Sequence, residues 1–263
     1  MRTHRRRFVF AGLLLAAPLG AQATNDEARL VVGIGAGYIG GSSLWSVSNQ
    51  PLLTAAGHVD RLTLVRDVRS GITATGQLTY FPRPNFGWTG ELTYLGLGTT
   101  DGCLITVDNN DPVNREACAS LSGRDRAASA VAAMAGGVYR FSSRGDVQPY
   151  LRGTAGFALV PRSTTAMTAF FGQDNRNGLI IYLQDDSKAI KPVGALSAGF
   201  ATAPSSGYQL RVEARATAVQ LVTVTGPSEV GSPNPPTGSK WVLLPSFVVA
   251  FDVVLEKRRG RRY

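Results

Sequence analysis

Residues Tyr208 to Ala216 read YQLRVEARA, and their alternation restricts the chain more than any other feature. Tyr208, Leu210, Val212, Ala214 and Ala216 share one parity, and Gln209, Arg211, Glu213 and Arg215 share the other. Side chains of a β-strand point alternately to opposite faces, so this period of two predicts a strand with one apolar and one charged face. The period recurs along the chain. Leu30, Val32, Ile34, Ala36 and Tyr38 alternate with Val31, Gly33, Gly35 and Gly37. Ile72, Ala74, Gly76, Leu78 and Tyr80 alternate with Thr73, Thr75, Gln77 and Thr79. After the breaker PRPN, Phe86, Trp88, Gly90, Leu92 and Tyr94 oppose Thr89, Glu91 and Thr93, which reads as a tight hairpin.

Val131 to Phe141 and Leu151 to Leu159 repeat the hairpin around SSRGD, with Arg140 and Arg152 on the second face. Ile190, Gly194, Leu196, Ala198 and Phe200 lead through PSSG to the stretch at 208. A last segment sets Trp241, Leu243, Phe247, Val249, Phe251, Val253 and Leu255 against Ser246, Ala250 and Asp252. Eight strands are predicted. AASAVAAMA, Ala127 to Ala135, is rich in the best helix former. The alternation of Val138 to Phe141 extends it, however, and a strand there closes the hairpin count.

Connection lengths alternate strictly. PRPN, SSRGD and APSSG are short, whereas roughly 41–70, 98–126, 161–188 and 224–240 are long and rich in Gly, Ser, Asn, Asp and Pro. Long loops at one end and short turns at the other match a transmembrane barrel of the bacterial outer membrane. The two parities point the same way. Tyr38, Tyr80, Phe86, Trp88, Tyr94, Tyr139, Phe141, Tyr208 and Trp241 fall on the apolar parity near strand ends, as interfacial aromatics should. Glu91, Arg140, Arg152, Arg211, Glu213, Arg215 and Asp252 collect on the other. A soluble barrel or sandwich would carry its charges outside. Pro149, Pro192 and Pro245 share the apolar parity and are expected near strand starts, where a missing ladder bond is tolerable.

The chain opens with Arg2, Arg5, Arg6 and Arg7, an apolar run from Phe8 to Leu19, and Ala21-Gln22-Ala23. This tripartite pattern predicts a secretory signal peptide over residues 1–23. The apolar run is short for a spanning helix, which needs about 20 residues. The chain has 27 basic and 18 acidic residues, but four arginines belong to the leader and five basic residues to the tail KRRGRRY. The remaining body is neutral, 18 against 18, and its charge gives no reason to expect a nucleic-acid surface. Cys103 and Cys118 lie fifteen apart, with no histidine between them to build a metal site. In an oxidising compartment they are expected to close a disulfide loop.

Gly35-x-Gly37-x-x-Gly40 has the spacing of a dinucleotide fingerprint. That motif needs a helix after its last glycine, and GSSLWSVSNQPLL has no helical period. The glycines are instead expected on the inward side of the first strand, leaving room for long side chains opposite. No cofactor is expected.

Across Ala28 to Leu255 the chain resembles the OmpA/OmpX-type small outer-membrane β-barrels, chiefly through ITATGQLTYFPRPNFGWTGELTYLGLG and GYQLRVEARAT. The resemblance implies an all-β, eight-stranded antiparallel up-and-down transmembrane barrel over residues 24–256, with long extracellular loops, short periplasmic turns and a basic tail at 257–263. It also implies outer-membrane lipid, lipopolysaccharide and the barrel-assembly machinery as partners, and an extracellular ligand reached through the loops. Such barrels often end on an aromatic residue. Here Phe247 and Phe251 are the candidates, because KRRGRRY follows the last predicted strand.

An eight-stranded barrel is just wide enough for side chains to fill its interior. The inward acids and bases are therefore expected to pair into a plug, since an unpaired buried charge is very costly. Two alternatives stand beside it. A narrow channel or lateral transporter, as in OmpW-like barrels, would need an apolar lumen. A lipid A-modifying barrel would need a His–Ser pair at the rim. The only histidine after the leader is His58, in the first long connection with Ser42, Ser43, Ser46 and Ser48, and no local motif joins them. No catalytic residue is predicted.

Overall fold

The computed structural model describes residues 27–258, apart from residues 55, 127, 144–145, 161–163, 172–176, 186–189 and 204–206. The expected signal segment and residues 259–263 of the tail lie outside the described residues. In chain order the elements are β1 (Glu27–Ile39), β2 (Ser42–Leu53), β3 (Val59–Val68), β4 (Gly71–Tyr80), β5 (Phe86–Gly96) and β6 (Thr99–Val107). Then come α1 (Pro112–Leu121), β7 (Arg124–Arg126), β8 (Ser129–Arg140), β9 (Val147–Leu159), β10 (Thr164–Phe171) and β11 (Asn177–Asp185). β12 (Ile190–Thr202), β13 (Tyr208–Val224) and β14 (Thr237–Arg258) end the series.

Eight of these strands close an antiparallel barrel in the order β1-β14-β13-β12-β9-β8-β5-β4. Each barrel strand therefore meets its sequence neighbour among the eight, and closure comes from β1 pairing with β14, Ile34 opposite Phe251. The alanine-rich run is strand as expected. β8 pairs with β5 and β9 along its length, so two ladders override its helix propensity.

The apolar parity faces outward on every barrel strand: Ile34 and Ile72 are each 69% exposed and Leu196 72%. The other parity is buried. Gly33 belongs to it, and a Cβ there would collide with the Asp252 carboxylate. At Gly33 room is thus left for an opposing side chain, whereas at Gly37 a Cβ would meet the Phe247 carbonyl of β14, so that motif glycine answers to close backbone approach instead.

The long connections are not irregular. β2, β3, β6 and β7 form a second sheet, and β10 pairs with β11. β2, β3 and β6 each follow or precede a barrel strand after only two residues, at 40–41, 69–70 and 97–98. The wall formed by β1, β4 and β5 thereby continues upward as the sheet of β2, β3 and β6. The predicted connection 224–240 shortens to 225–236, because β13 and β14 also run on above the barrel with Val224 opposite Thr237.

That extension corrects the reading of Pro245, which lies within β14 rather than near its start. Gly40 donates to the Pro245 carbonyl at 2.7 Å, just past the last β1–β14 pair, Ile39 opposite Ser246. A strand residue's N–H and C=O point to the same side, so the missing donor faces the place where β1 leaves the sheet. Proline is tolerated at such an edge. Pro149 and Pro192 do lie at the third positions of β9 and β12.

α1 begins at Pro112 after Asp111, whose side chain accepts from Val113 N and Asn114 N. An Asp cap before a first-turn proline is a standard helix start, since both satisfy or omit amide donors that have no partner in the helix. Among the described residues no helix is long and apolar enough to cross a membrane, which does not bear on strands.

Candidate functional site in the barrel lumen

Three layers fill the barrel along its axis. At the short-turn end Ala28, Val31, Phe81, Val138, Tyr150 and Val254 form a small apolar cluster. At the long-connection end a larger cluster joins barrel residues such as Leu95, Ala132, Met134, Ala158 and Val193 to residues above the barrel. Leu44, Trp45, Val47, Leu62, Leu64 and Val68 come from the β2–β3 hairpin, and Val219, Val224, Val242 and Leu244 from the raised β13–β14 hairpin. The two raised walls meet over the mouth, and Leu62, Leu64 and Leu244 are fully buried there.

Between the apolar layers lie the charges. β9 carries Arg152, β13 carries Arg211, Glu213 and Arg215, β5 carries Glu91 and β14 carries Asp252. Glu213 is the hub and is fully buried. It accepts from Arg152 Nη2 at 2.6 Å, Arg211 Nη1 at 2.6 Å and the Tyr150 hydroxyl at 2.7 Å. Arg211 Nε reaches Asp252 Oδ2 at 3.1 Å, and Arg215 Nη2 pairs with Glu91. Arg152 lies 3.5 Å from Glu91 Oε2 and donates to Gln77, which joins the two halves of the network. Three bases thus meet three acids, and the layer is neutral.

The barrel brings together six of the seven charges read from the sequence. Arg140 is buried as well but sits toward the short-turn end, where Nη2 donates to the Ala28 carbonyl at 3.1 Å. Its guanidinium lies 3.5 Å from the Phe81 ring centroid, a buried cation–π contact. Tyr150, Gln77 and Gln209 complete the layer and were missed in the sequence. All three share the inward parity, but parity singles out only residues whose charge is anomalous for a buried face.

The raised cap has its own buried ion pair. Arg66 on β3 donates to both Asp101 oxygens, at 2.5 and 3.0 Å, and lies 5.4 Å from the Trp45 ring. Asp60, also buried, accepts from Asn109 N at 2.7 Å, Asn109 Nδ2 at 2.9 Å and Asn114 Nδ2 at 2.8 Å. Burial raises the Asp60 carboxyl, but these donors outweigh it and hold the group below its usual range. Cys103 and Cys118 are joined, Cα to Cα 5.3 Å, which fastens α1 to β6.

His58 stands exposed at the β2–β3 tip, where its N–H donates to Thr54 Oγ1 at 2.9 Å. The register sets Ser42 opposite Val68 and Ser46 opposite Val65, whereas Leu53 opposes Val59 beside the tip. The hairpin therefore carries these serines away from the histidine. Among the described residues no group of three or more metal-ligating side chains is suited to hold an ion.

No family model matches the chain, and no curated protein does. Solved structures similar to it include the crystal structure of Neisserial surface protein A, at 11% identity over 86% of this chain and 97% of that one, with a TM-score of 0.45. The solid-state NMR structure of the outer membrane protein AlkL in lipid bilayers matches at 11% identity over 100% and 99%, with a TM-score of 0.38. The crystal structure of Ail, the attachment invasion locus protein of Yersinia pestis, matches at 13% identity over 86% and 98%, with a TM-score of 0.33.

Proposed function

We propose that the protein is an exported barrel of the bacterial outer membrane with a structural or surface-interaction role, and that its lumen is plugged. The observation that carries this reading is the inverted polarity of the wall. Large apolar side chains ring the outside, and six paired charges lie within. In hydrocarbon every backbone group must be bonded internally, which a closed barrel achieves. Barrel strands of ten residues or more are long enough, since a tilted spanning strand needs about 9–11. Tyr80, Trp88, Tyr139, Phe141 and Tyr208 near the short turns fit an interfacial aromatic girdle.

The plug reading rests on the apolar layers above and below the charges. A narrow channel would need a polar path through both. A lateral transporter would need a gap in the wall, yet the β8–β9, β9–β12 and β12–β13 ladders run without a register shift. The raised cap is the surface offered to an extracellular ligand, with lipopolysaccharide around its base and the assembly machinery acting during insertion. No catalytic residue is assigned. The test is to compare outer-membrane fractions, unheated and boiled, on a detergent gel. A compact band that shifts on boiling supports the membrane barrel, and its absence with soluble recovery overturns it. Planar-bilayer recordings then separate plug from pore: steady single-channel conductance overturns the plug.

A further inference from the structure

Between the charged layer and the short-turn apolar cluster is a cavity of about 30 Å³. Gln148, Gln209, Arg211 and Asp252 line it together with Val31, Phe81 and Ala201. Each of those four polar residues is more than nine-tenths buried, and each carries an atom without a hydrogen-bond partner: Gln148 Oε1, Gln209 Oε1, Arg211 Nη2 and Asp252 Oδ1. The amide orientations are fixed from the other side. Gln209 Nε2 donates to Asp252 Oδ2 at 3.2 Å and Gln148 Nε2 to the Ser143 carbonyl at 3.2 Å. Turning either amide would lose that bond and oppose two acceptors.

The geometry points to a permanent site for a small hydrated cluster, about two water molecules, built into the floor of the charged layer. An occupant that satisfied these four atoms would donate to three oxygens and accept from one guanidinium. A cation is disfavoured by Arg140, Arg152 and Arg211 around the same cavity, and an anion by the Asp252 carboxylate and the two amide oxygens. Water does both jobs, and a volume of this size exceeds the roughly 10–15 Å³ that one molecule requires. The site goes beyond the plug reading. It makes the ionic layer hydrated on its short-turn side, whereas the face toward the cap packs against apolar residues such as Met134, Ala132 and Leu95.

The test is water-edited solid-state NMR of the full protein in lipid bilayers, reading transfer from water to the Gln148 and Gln209 amides and the Arg211 guanidinium. Transfer should be clearly faster than at the backbone amides of the barrel ladders, which bond to neighbouring strands. In Ala201→Leu, which fills the cavity without removing a polar group, it should fall by about threefold or more. The heat-shift gel identifies which preparations are folded. Absence of transfer in the parent protein overturns the site, as does unchanged transfer in folded Ala201→Leu. Conductance in planar bilayers would overturn the plug and leave these two results readable.

Discussion

The barrel interior holds two buried layers of unlike chemistry, and on the reading proposed above both close it. The middle layer is ionic, with Glu213 at the centre of Arg152, Arg211 and Tyr150. The cap is mainly apolar, with Leu62, Leu64 and Leu244 fully buried between the raised hairpins. In the middle layer the wall fixes the side-chain positions, because eight strands meet at a width that only extended side chains span. Among the described residues of the cap the strands form open sheets, so the two hairpins hold position by burying apolar area on each other. Paired charges have strict geometry and give little net stabilisation, whereas apolar contacts have loose geometry and stabilise in proportion to area. On the proposed plug reading, the ionic layer would help to specify register and the cap would supply the seal.

The sharpest way to break this contrast is Glu213→Leu. Removing the hub leaves Arg152 and Arg211 buried beside a single remaining acid each, and loss of one partner from a buried pair costs about 3–5 kcal/mol. The expected outcome is a barrel whose unfolding midpoint in urea falls strongly and whose heat-shifted band weakens. The same midpoint in Leu64→Ala should fall less, although a buried leucine truncation costs about 2–5 kcal/mol where it is felt. Its effect should stay in the cap, as faster hydrogen exchange in β2, β3 and β6 with the barrel ladders unchanged. Equal damage to both regions by either substitution would show that cap and barrel form one cooperative unit.

What could be read from the sequence follows the same division. In the barrel the period of two holds apart from a shift at Ala28–Val31 in the β1–β14 ladder, because one face is apolar and exposed and the other lines a packed interior. Parity therefore located Glu91, Arg152, Arg211, Glu213, Arg215 and Asp252 on one inner surface. It could not place them by height. Arg140 obeys the parity but is staggered to the level of Phe81, a matter of strand tilt and register. In the cap the period fails. β2 carries register shifts between Ser43 and Trp45 and between Val47 and Gln50, with Asn49 at a φ of 60°. Each shift exchanges the buried parity, so SSLWSVSNQPLL reads as loop. The helix α1 went unread within the connection 98–126, because it has only ten residues and no long apolar stripe to announce it.

The disulfide divides cap from barrel at smaller scale. It closes fifteen residues that hold the end of β6 and most of α1, all in the cap. A chain-entropy argument puts such a crosslink at about 3 kcal/mol, felt only by the region whose unfolding it restrains. Replacing both Cys103 and Cys118 with Ser should speed exchange in α1 and β6 and sensitise the cap to protease. The heat-shifted band of the barrel should keep its mobility. A shift of the barrel's own unfolding midpoint by the full amount would mean that the crosslink acts through the wall.

The smallest expected effect is that of acid, and it separates the regions by their solvent contact. Asp60 is held below its usual pKa, near 3.8, by Asn114 and Asn109 against the opposing cost of burial. A group depressed on folding stabilises the native state above its unfolded value, and that contribution is lost as pH falls through the folded value. The cap should therefore be unaffected between pH 7 and 5 and loosen only below about pH 4. Exposed Asp108, depressed by Arg115 and by the Asn110 amide, titrates in the same direction but contributes little in water. Hydrogen exchange corrected for intrinsic rates, compared at pH 5 and pH 3, should show lower protection at β3 and the start of α1 in acid. Asp60→Asn should lower that protection at both pH values and remove the difference between them, because a neutral amide offers no second acceptor to the Asn109 and Asn114 donors. An acid response that survives in Asp60→Asn would assign the sensitivity to another carboxylate and detach it from the clamp between β3 and α1.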